Sequence, residues 1–98
     1  MTGAVAGILA PIATPFDRGS GAVAEDALRT NVARLLADGL HGIVVAGSTG
    51  EAALLDPDEV RRLVAVAREV VPGGRHLVCG TGAEATRQAV ALSRAAGA

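Results

Sequence analysis

The 98-residue sequence has no tyrosine and no tryptophan, and Phe16 is its one aromatic residue. Its nine basic residues are all arginine, so lysine is absent too. No side chain therefore offers an amine nucleophile or a phenolic proton donor. Any core must be built from alanine, valine, leucine and isoleucine. With one cysteine, Cys79, an internal disulfide is excluded and a reducing compartment is expected. Cys79 ends the apolar run His76-Leu77-Val78-Cys79 and is expected to be a buried structural thiol. No apolar run approaches the ~18 residues of a membrane span. The stretch from Ala4 to Ala13 is apolar, but it lacks a basic leader and carries Pro11. A signal peptide is not expected, and the cytoplasm is the expected location. Nine basic residues against ten acidic ones leave a net charge of −1, so no basic footprint argues for nucleic acid.

What is present is an alternation of apolar runs with helical periodicity. Gly7 to Ala13 reads as a first strand, with Pro11 assigning it to a sheet edge. From Glu25 to Ala37, Leu28, Val32, Leu35 and Leu36 recur at helical spacing, with Arg29 and Arg34 opposite, and Gly39 closes the helix. Ile43 to Ala46 is a second strand. Asp56-Pro57-Asp58-Glu59 is a helix start, with Asp56 as N-cap, Pro57 in the first helical position and Glu59 completing a capping box. Val60, Leu63, Val64, Ala67, Val70 and Val71 mark its apolar face, and Pro72-Gly73-Gly74 ends it. Leu77 to Cys79 is a third strand, and Ala83 to Ala96 a third helix with Ala89, Leu92 and Ala96 on one side. Gly97 stops it.

Strands that are continuously apolar and alternate with helices are the pattern of a parallel sheet covered by helices. Three βα units make at most one domain, and they leave a bare sheet edge. A closed eight-stranded barrel takes about 250 residues. The chain is therefore expected to be the N-terminal part of something larger.

In parallel α/β proteins the C-terminal ends of the strands carry the site. There the second strand empties into Gly47-Ser48-Thr49-Gly50-Glu51. Ser48 and Thr49 each donate and accept hydrogen bonds, and Gly47 and Gly50 let a ligand approach the backbone. Such a loop can hold a carboxylate, or it can be an ordinary strand-to-helix connection. It is not a P-loop, because no lysine follows the second glycine. Glu51 could serve as a base, but is expected to bond backbone N–H groups and fix the loop. Gly80-Thr81-Gly82-Ala83-Glu84-Ala85 formally matches a dinucleotide fingerprint. The strand is the third, not the first, and the required acidic residue would fall past Ala98, so a helix-opening turn is expected instead. Neither His41 nor His76 has further ligands at metal-binding spacing, so no metal and no cofactor are expected. The pair Arg61-Arg62 reads as a solvated helix face.

Taken together, GILAPIATPFD at residues 7–17, GLHGIVVAGSTGE at 39–51, and Gly80-Thr81-Gly82 followed by Thr86 resemble the opening of the dihydrodipicolinate synthase/N-acetylneuraminate lyase family. The resemblance covers almost the whole chain in order. It implies a (β/α)8 TIM barrel, of which residues 1–98 supply about the first three βα units, and a homotetramer acting as a class I aldolase or lyase. In that family a late lysine forms a Schiff base with pyruvate or another 2-oxo acid, and a tyrosine relays protons to an aldehyde partner. By position, Ser48 becomes the relay and carboxylate contact and Thr49 a carboxylate contact, with Gly47 and Gly50 completing the substrate loop. The lysine and the tyrosine are absent from this chain.

Several positions depart from the lysine-pathway synthases. Glu84 stands where asparagine is common, an arrangement closer to hydroxy-oxoglutarate or sugar-acid aldolases. Ala24 replaces a frequent aspartate and weakens the first helix cap. No histidine lies at Pro57 or Val60, so lysine feedback is not expected. Two readings of other kinds stand beside the lyase: a non-catalytic fragment that needs a partner chain, and a nucleotide-binding α/β domain.

Overall fold

A computed structural model describes residues 4–97. Three parallel strands lie in the order β1-β2-β3: β1 Leu9–Pro11, β2 Gly42–Val45 and β3 His76–Cys79. Three helices alternate with them: α1 Glu25–Ala37, α2 Pro57–Val70 and α3 Thr86–Gly97. The β-α-β-α-β-α order expected from the sequence is observed.

β1 is shorter than the apolar run. Gly7 turns away at φ +95°, and only Leu9–Pro11 pairs, with Leu9 opposite Gly42 and Pro11 opposite Val44. The His41 N–H donates to the Ile8 carbonyl and the Ile12 N–H to the Val44 carbonyl. Residues 8 and 12 thus face β2, and the N–H that Pro11 lacks would point to the open side. Proline is tolerated there because that side of β1 makes no backbone pairing among the described residues. The stretch before β1 is tied down by the His41 ring, whose Nδ1 accepts from the Ile8 N–H at 2.9 Å.

The core lies between the sheet and the helices. Ile43 and Val45 of β2 meet Leu28, Val32 and Leu36 of α1 and Val60, Leu63, Val64, Val66 and Ala67 of α2. Val66 is fully buried although it falls outside the expected stripe, while Val70 and Val71 are only half-buried. The cause is position: α2 packs against α1 on one side and α3 on the other, so its apolar face is wider than one stripe.

α2 begins where expected. Asp56 accepts from the Glu59 N–H at 2.8 Å, and Glu59 accepts from the Asp56 N–H at 2.9 Å. α1 has no such cap, since its N-cap is Ala24. α3 starts at Thr86, not Ala83, with the Ala85 carbonyl taking the first helical N–H groups. Ala83 and Ala85 are strong helix formers wherever they stand, which is why composition places the start too early. No residue of α3 is fully buried.

On the surface Arg62 of α2 makes two hydrogen bonds to the Glu25 carboxylate of α1, at 2.9 and 2.6 Å. Arg29 bonds Glu69 at 3.0 Å and Asp26 at 2.8 Å. The Arg62–Glu25 and Arg29–Glu69 pairs tie α1 to α2, while Arg29–Asp26 lies within α1.

Two outcomes follow for stability. Replacing Asp56 with alanine should cost about 1 kcal/mol in chemical denaturation. The Glu25 carboxyl is held below its ordinary value by hydrogen bonds from Arg62. A depressed carboxyl contributes stability above its unfolded value and loses it as pH falls through the folded one. Arg62→Ala should therefore shrink the loss of stability between about pH 5 and pH 3, measured as unfolding midpoints across that range.

Candidate functional site

Parallel pairing brings the exits of all three strands to one end of the sheet. After β2, Ala46 adopts φ +54°, a left-handed conformation rare for a residue with a Cβ. Such strain costs about 1–2 kcal/mol and persists where surrounding structure enforces it. The chain then closes a tight turn. The Gly47 carbonyl accepts from the N–H groups of Gly50 at 3.1 Å and Ala52 at 3.2 Å, and the Ser48 carbonyl accepts from the Glu51 N–H at 3.1 Å.

These two pinned carbonyls have a consequence for binding. No described peptide is cis, and in a planar trans peptide the N–H points opposite the C=O. With the Gly47 and Ser48 carbonyls turned into the loop, the N–H groups of Ser48 and Thr49 are turned out of it. Neither N–H bonds to another backbone group among the described residues. The Ser48 and Thr49 side chains are exposed beside them. Two free N–H groups and two hydroxyls, fixed at a strand's C-terminal end, can hold a carboxylate.

The turn is held from both neighbouring strand exits. Gly50 is buried, and a Cβ there would lie 3.1 Å from the Ile12 carbonyl oxygen and 3.2 Å from both Ala46 N and Thr14 Oγ1. Thr14 itself, only 6% exposed, is the buried polar side chain of the described residues. Its hydroxyl donates to the Gly50 carbonyl at 2.7 Å. From the other side, Gly80 lies against the Ala46 carbonyl so closely that any Cβ would collide with it. The Gly80 N–H also donates to the Val45 carbonyl at 2.9 Å.

A cleft of about 870 Å³ opens between these exits and the starts of α2 and α3. Gly47 and Ser48 line it, together with Leu55, Gly82, Glu84 and Gln88 among others. Thr49 is exposed but does not line the cleft, and Gly50 lies buried beneath the turn. The Gly47 and Gly80 loops thus share one face, as the sequence predicts. Glu84 is the one charged group on the lining among the described residues.

Glu51 behaves differently from the expectation. It sits at φ +62° before a short 3-10 turn at Ala52–Leu54, and its carboxylate caps no N–H there. It shapes the loop through its backbone, because a residue in the left-handed region turns its side chain out of the turn. Cys79 is half-buried, not fully buried, since β3 lacks a strand on its outer side among the described residues. Burial pushes its thiol up, away from the thiolate form a nucleophile needs. Among the described residues no three His, Cys, Asp or Glu side chains converge as metal ligands do, and no helix is long and apolar enough to cross a membrane.

Sequence reasoning assigned no role to Thr14 in the site and did not see the strain at Ala46. The signal for Thr14 was there: a hydroxyl at the end of an apolar run, immediately before a proline.

Three parallel strands in chain order, with helices packed on them, fit the opening βα units of a (β/α)8 barrel, and the donor-rich loop at their C-terminal ends is the candidate site. Comparison with known proteins makes this specific. The profile of the Dihydrodipicolinate synthetase family matches residues 4–98, and the chain belongs to that family. It is 45% identical over 91 residues to a 4-hydroxy-tetrahydrodipicolinate synthase of Methanoculleus marisnigri, covering 92% of this chain and 31% of that protein. The corresponding synthase of Methanopyrus kandleri is 38% identical over 89 residues, 91% of this chain and 30% of that protein. The crystal structure of dihydrodipicolinate synthase from Agrobacterium tumefaciens superposes with a TM-score of 0.85 at 36% identity, covering 93% of this chain and 30% of that one. The chain thus spans about a third of the length of the relatives it matches.

The close approach at Gly80 is directly testable. Gly80→Ala must push the Ala46 peptide away and should cost about 1–3 kcal/mol in denaturation, as overpacking does. A variant as stable as wild type would show that the two strand exits are not locked together.

Proposed function

We propose that this chain is the carboxylate-gripping portion of a Schiff-base-forming lyase that acts on pyruvate or a related 2-oxo acid, of the 4-hydroxy-tetrahydrodipicolinate synthase type. The observation that carries this reading is the pair of unused N–H groups on pinned peptides at Ser48 and Thr49, beside two exposed hydroxyls. Membership in the family, and the names its relatives bear, support reading that loop as a 2-oxo-acid carboxylate site. Residues 1–98 are the N-terminal portion of one (β/α)8 barrel domain. The full-length protein works as a homotetramer in the cytoplasm, without a metal or cofactor.

The division of labour follows from composition. A Schiff base needs an amine that adds to the 2-oxo carbonyl, after which water leaves and a nitrogen cation remains as an electron sink. This chain has no lysine to do so and no tyrosine to relay the proton. Both lie elsewhere in the barrel. Ser48 and Thr49 hold the substrate carboxylate, and the Ser48 hydroxyl also hands the proton on to the tyrosine. Their contribution is orientation and charge complementarity at a place fixed before the substrate arrives.

Borohydride trapping with radiolabelled pyruvate tests the reading. The full-length barrel should be labelled on a lysine, and the 98-residue chain alone should not be labelled on any side chain. Absence of a lysine adduct in the full-length protein would end the lyase proposal. In that protein Ser48→Ala and Thr49→Ala should each lower kcat/KM by the equivalent of about 1.5–3 kcal/mol, the worth of a hydrogen bond to a charged group. Unchanged kcat/KM in both would remove the roles given to these residues.

A further inference from the structure

We infer that Thr14 is a positioning residue for the substrate carboxylate, acting through the Gly50–Glu51 peptide. The inference rests on the reading of the Ser48-Thr49 loop as a 2-oxo-acid site. Thr14 lies at the exit of β1, 36 residues before its partner, and its buried hydroxyl donates to the Gly50 carbonyl at 2.7 Å. That carbonyl belongs to the same planar peptide as the Glu51 N–H, which donates to the Ser48 carbonyl at 3.1 Å. The Ser48 carbonyl in turn shares a peptide with the Thr49 N–H, which it turns outward. One relay of rigid peptides therefore runs from the Thr14 hydroxyl to a group that would hold the substrate.

The relay has a soft point that the hydroxyl guards. Glu51 stands at φ +62°, where a residue with a Cβ is strained. Rotation of the Gly50–Glu51 peptide would relieve that strain. It would also withdraw the Glu51 N–H from Ser48 and release the Thr49 N–H from its orientation. The Thr14 bond opposes this rotation, because a rotated Gly50 carbonyl would leave the buried hydroxyl unpaired. Thr14 touches no substrate atom; it decides where the donors stand.

The test compares Thr14→Val, which keeps the shape and removes the hydroxyl, with Thr14→Ser, which keeps the hydroxyl. Both are made in the full-length protein. Thr14→Val should raise KM for pyruvate about tenfold with kcat changed far less, as loss of a binding contact does. It should also speed amide exchange in the peptide spanning 49–52, with the rest of the barrel unchanged. Thr14→Ser should match wild type in both respects. A Thr14→Val protein with wild-type KM and wild-type exchange overturns the inference, while borohydride trapping by wild type leaves the lyase reading standing. Conversely, faster exchange in Thr14→Val with no trapping by wild type sinks the lyase reading and keeps the peptide relay. If Thr14→Val does not fold, Thr14→Ser decides alone: a KM raised tenfold with the hydroxyl present overturns the inference, and a wild-type KM and exchange pattern upholds it.

Discussion

The parallel pairing of β2 with a strand on each side is the constraint on which the rest of the molecule depends. Gly42–Val45 matches Leu9–Pro11 in one register and His76–Cys79 in the other. Parallel strands cannot be joined by tight hairpins, so each connection must cross over through a helix. With the strands in the order β1-β2-β3 and crossovers of one hand, the helices fall against one face and all three exits at one end. Ile43 and Val45, pointing toward the helices, become the sheet's contribution to the core. Among the described residues the β2 exit, between two others, is the one braced from both sides. A loop braced from both sides is where strain at Ala46 and Glu51 can be held.

The same bracing explains why the glycines stand where they do. Gly50 and Gly80 are places where one exit presses on the backbone of the next: Gly80 leaves no room for a Cβ, and at Gly50 a Cβ would fit only if its neighbours gave by a few tenths of an ångström. Gly47 by contrast has space around it, with only the Val44 side chain nearby, which under the proposed function leaves room for a ligand to approach its backbone. Structural and functional glycines alternate within a few residues of one another. A sequence pattern such as G-S-T-G shows them as equivalent, although they do different things.

What the sequence made legible was whatever is local. α1 and the start of α2 follow from spacing and from a capping box closed within four residues. β1 is the outer strand of the described sheet, in keeping with Pro11, because proline reports directly on a missing donor. The placement of the candidate loop at the sheet's C-terminal end followed from the order of elements. What was not legible was whatever depends on a distant neighbour. Val66 is buried because a helix lies on each side of α2. Thr14 matters because of a carbonyl 36 residues away. Alanine misled twice, once by advancing the start of α3 and once by concealing a left-handed backbone at Ala46. It is a good helix former and carries no side-chain chemistry to betray its setting.

The neutral character of the donors is itself informative under the proposed chemistry. The chain carries nine arginines, yet none lines the cleft. A guanidinium would bind a carboxylate more strongly than N–H and hydroxyl groups do. It would also place a full positive charge close to the nitrogen that must become cationic. At about 6 Å and an effective dielectric of about 20, two like charges repel by roughly 3 kcal/mol. That repulsion would act on the iminium and on the transition state leading to it, opposing the step the site exists to promote. Under the proposal, peptide dipoles held by Thr14, Gly50 and the turn at Gly47 would hold the carboxylate without that opposition. They need no side-chain ordering when the substrate arrives. A donor set without net charge, on peptides locked from behind, is therefore the arrangement that Schiff-base chemistry on a 2-oxo acid favours.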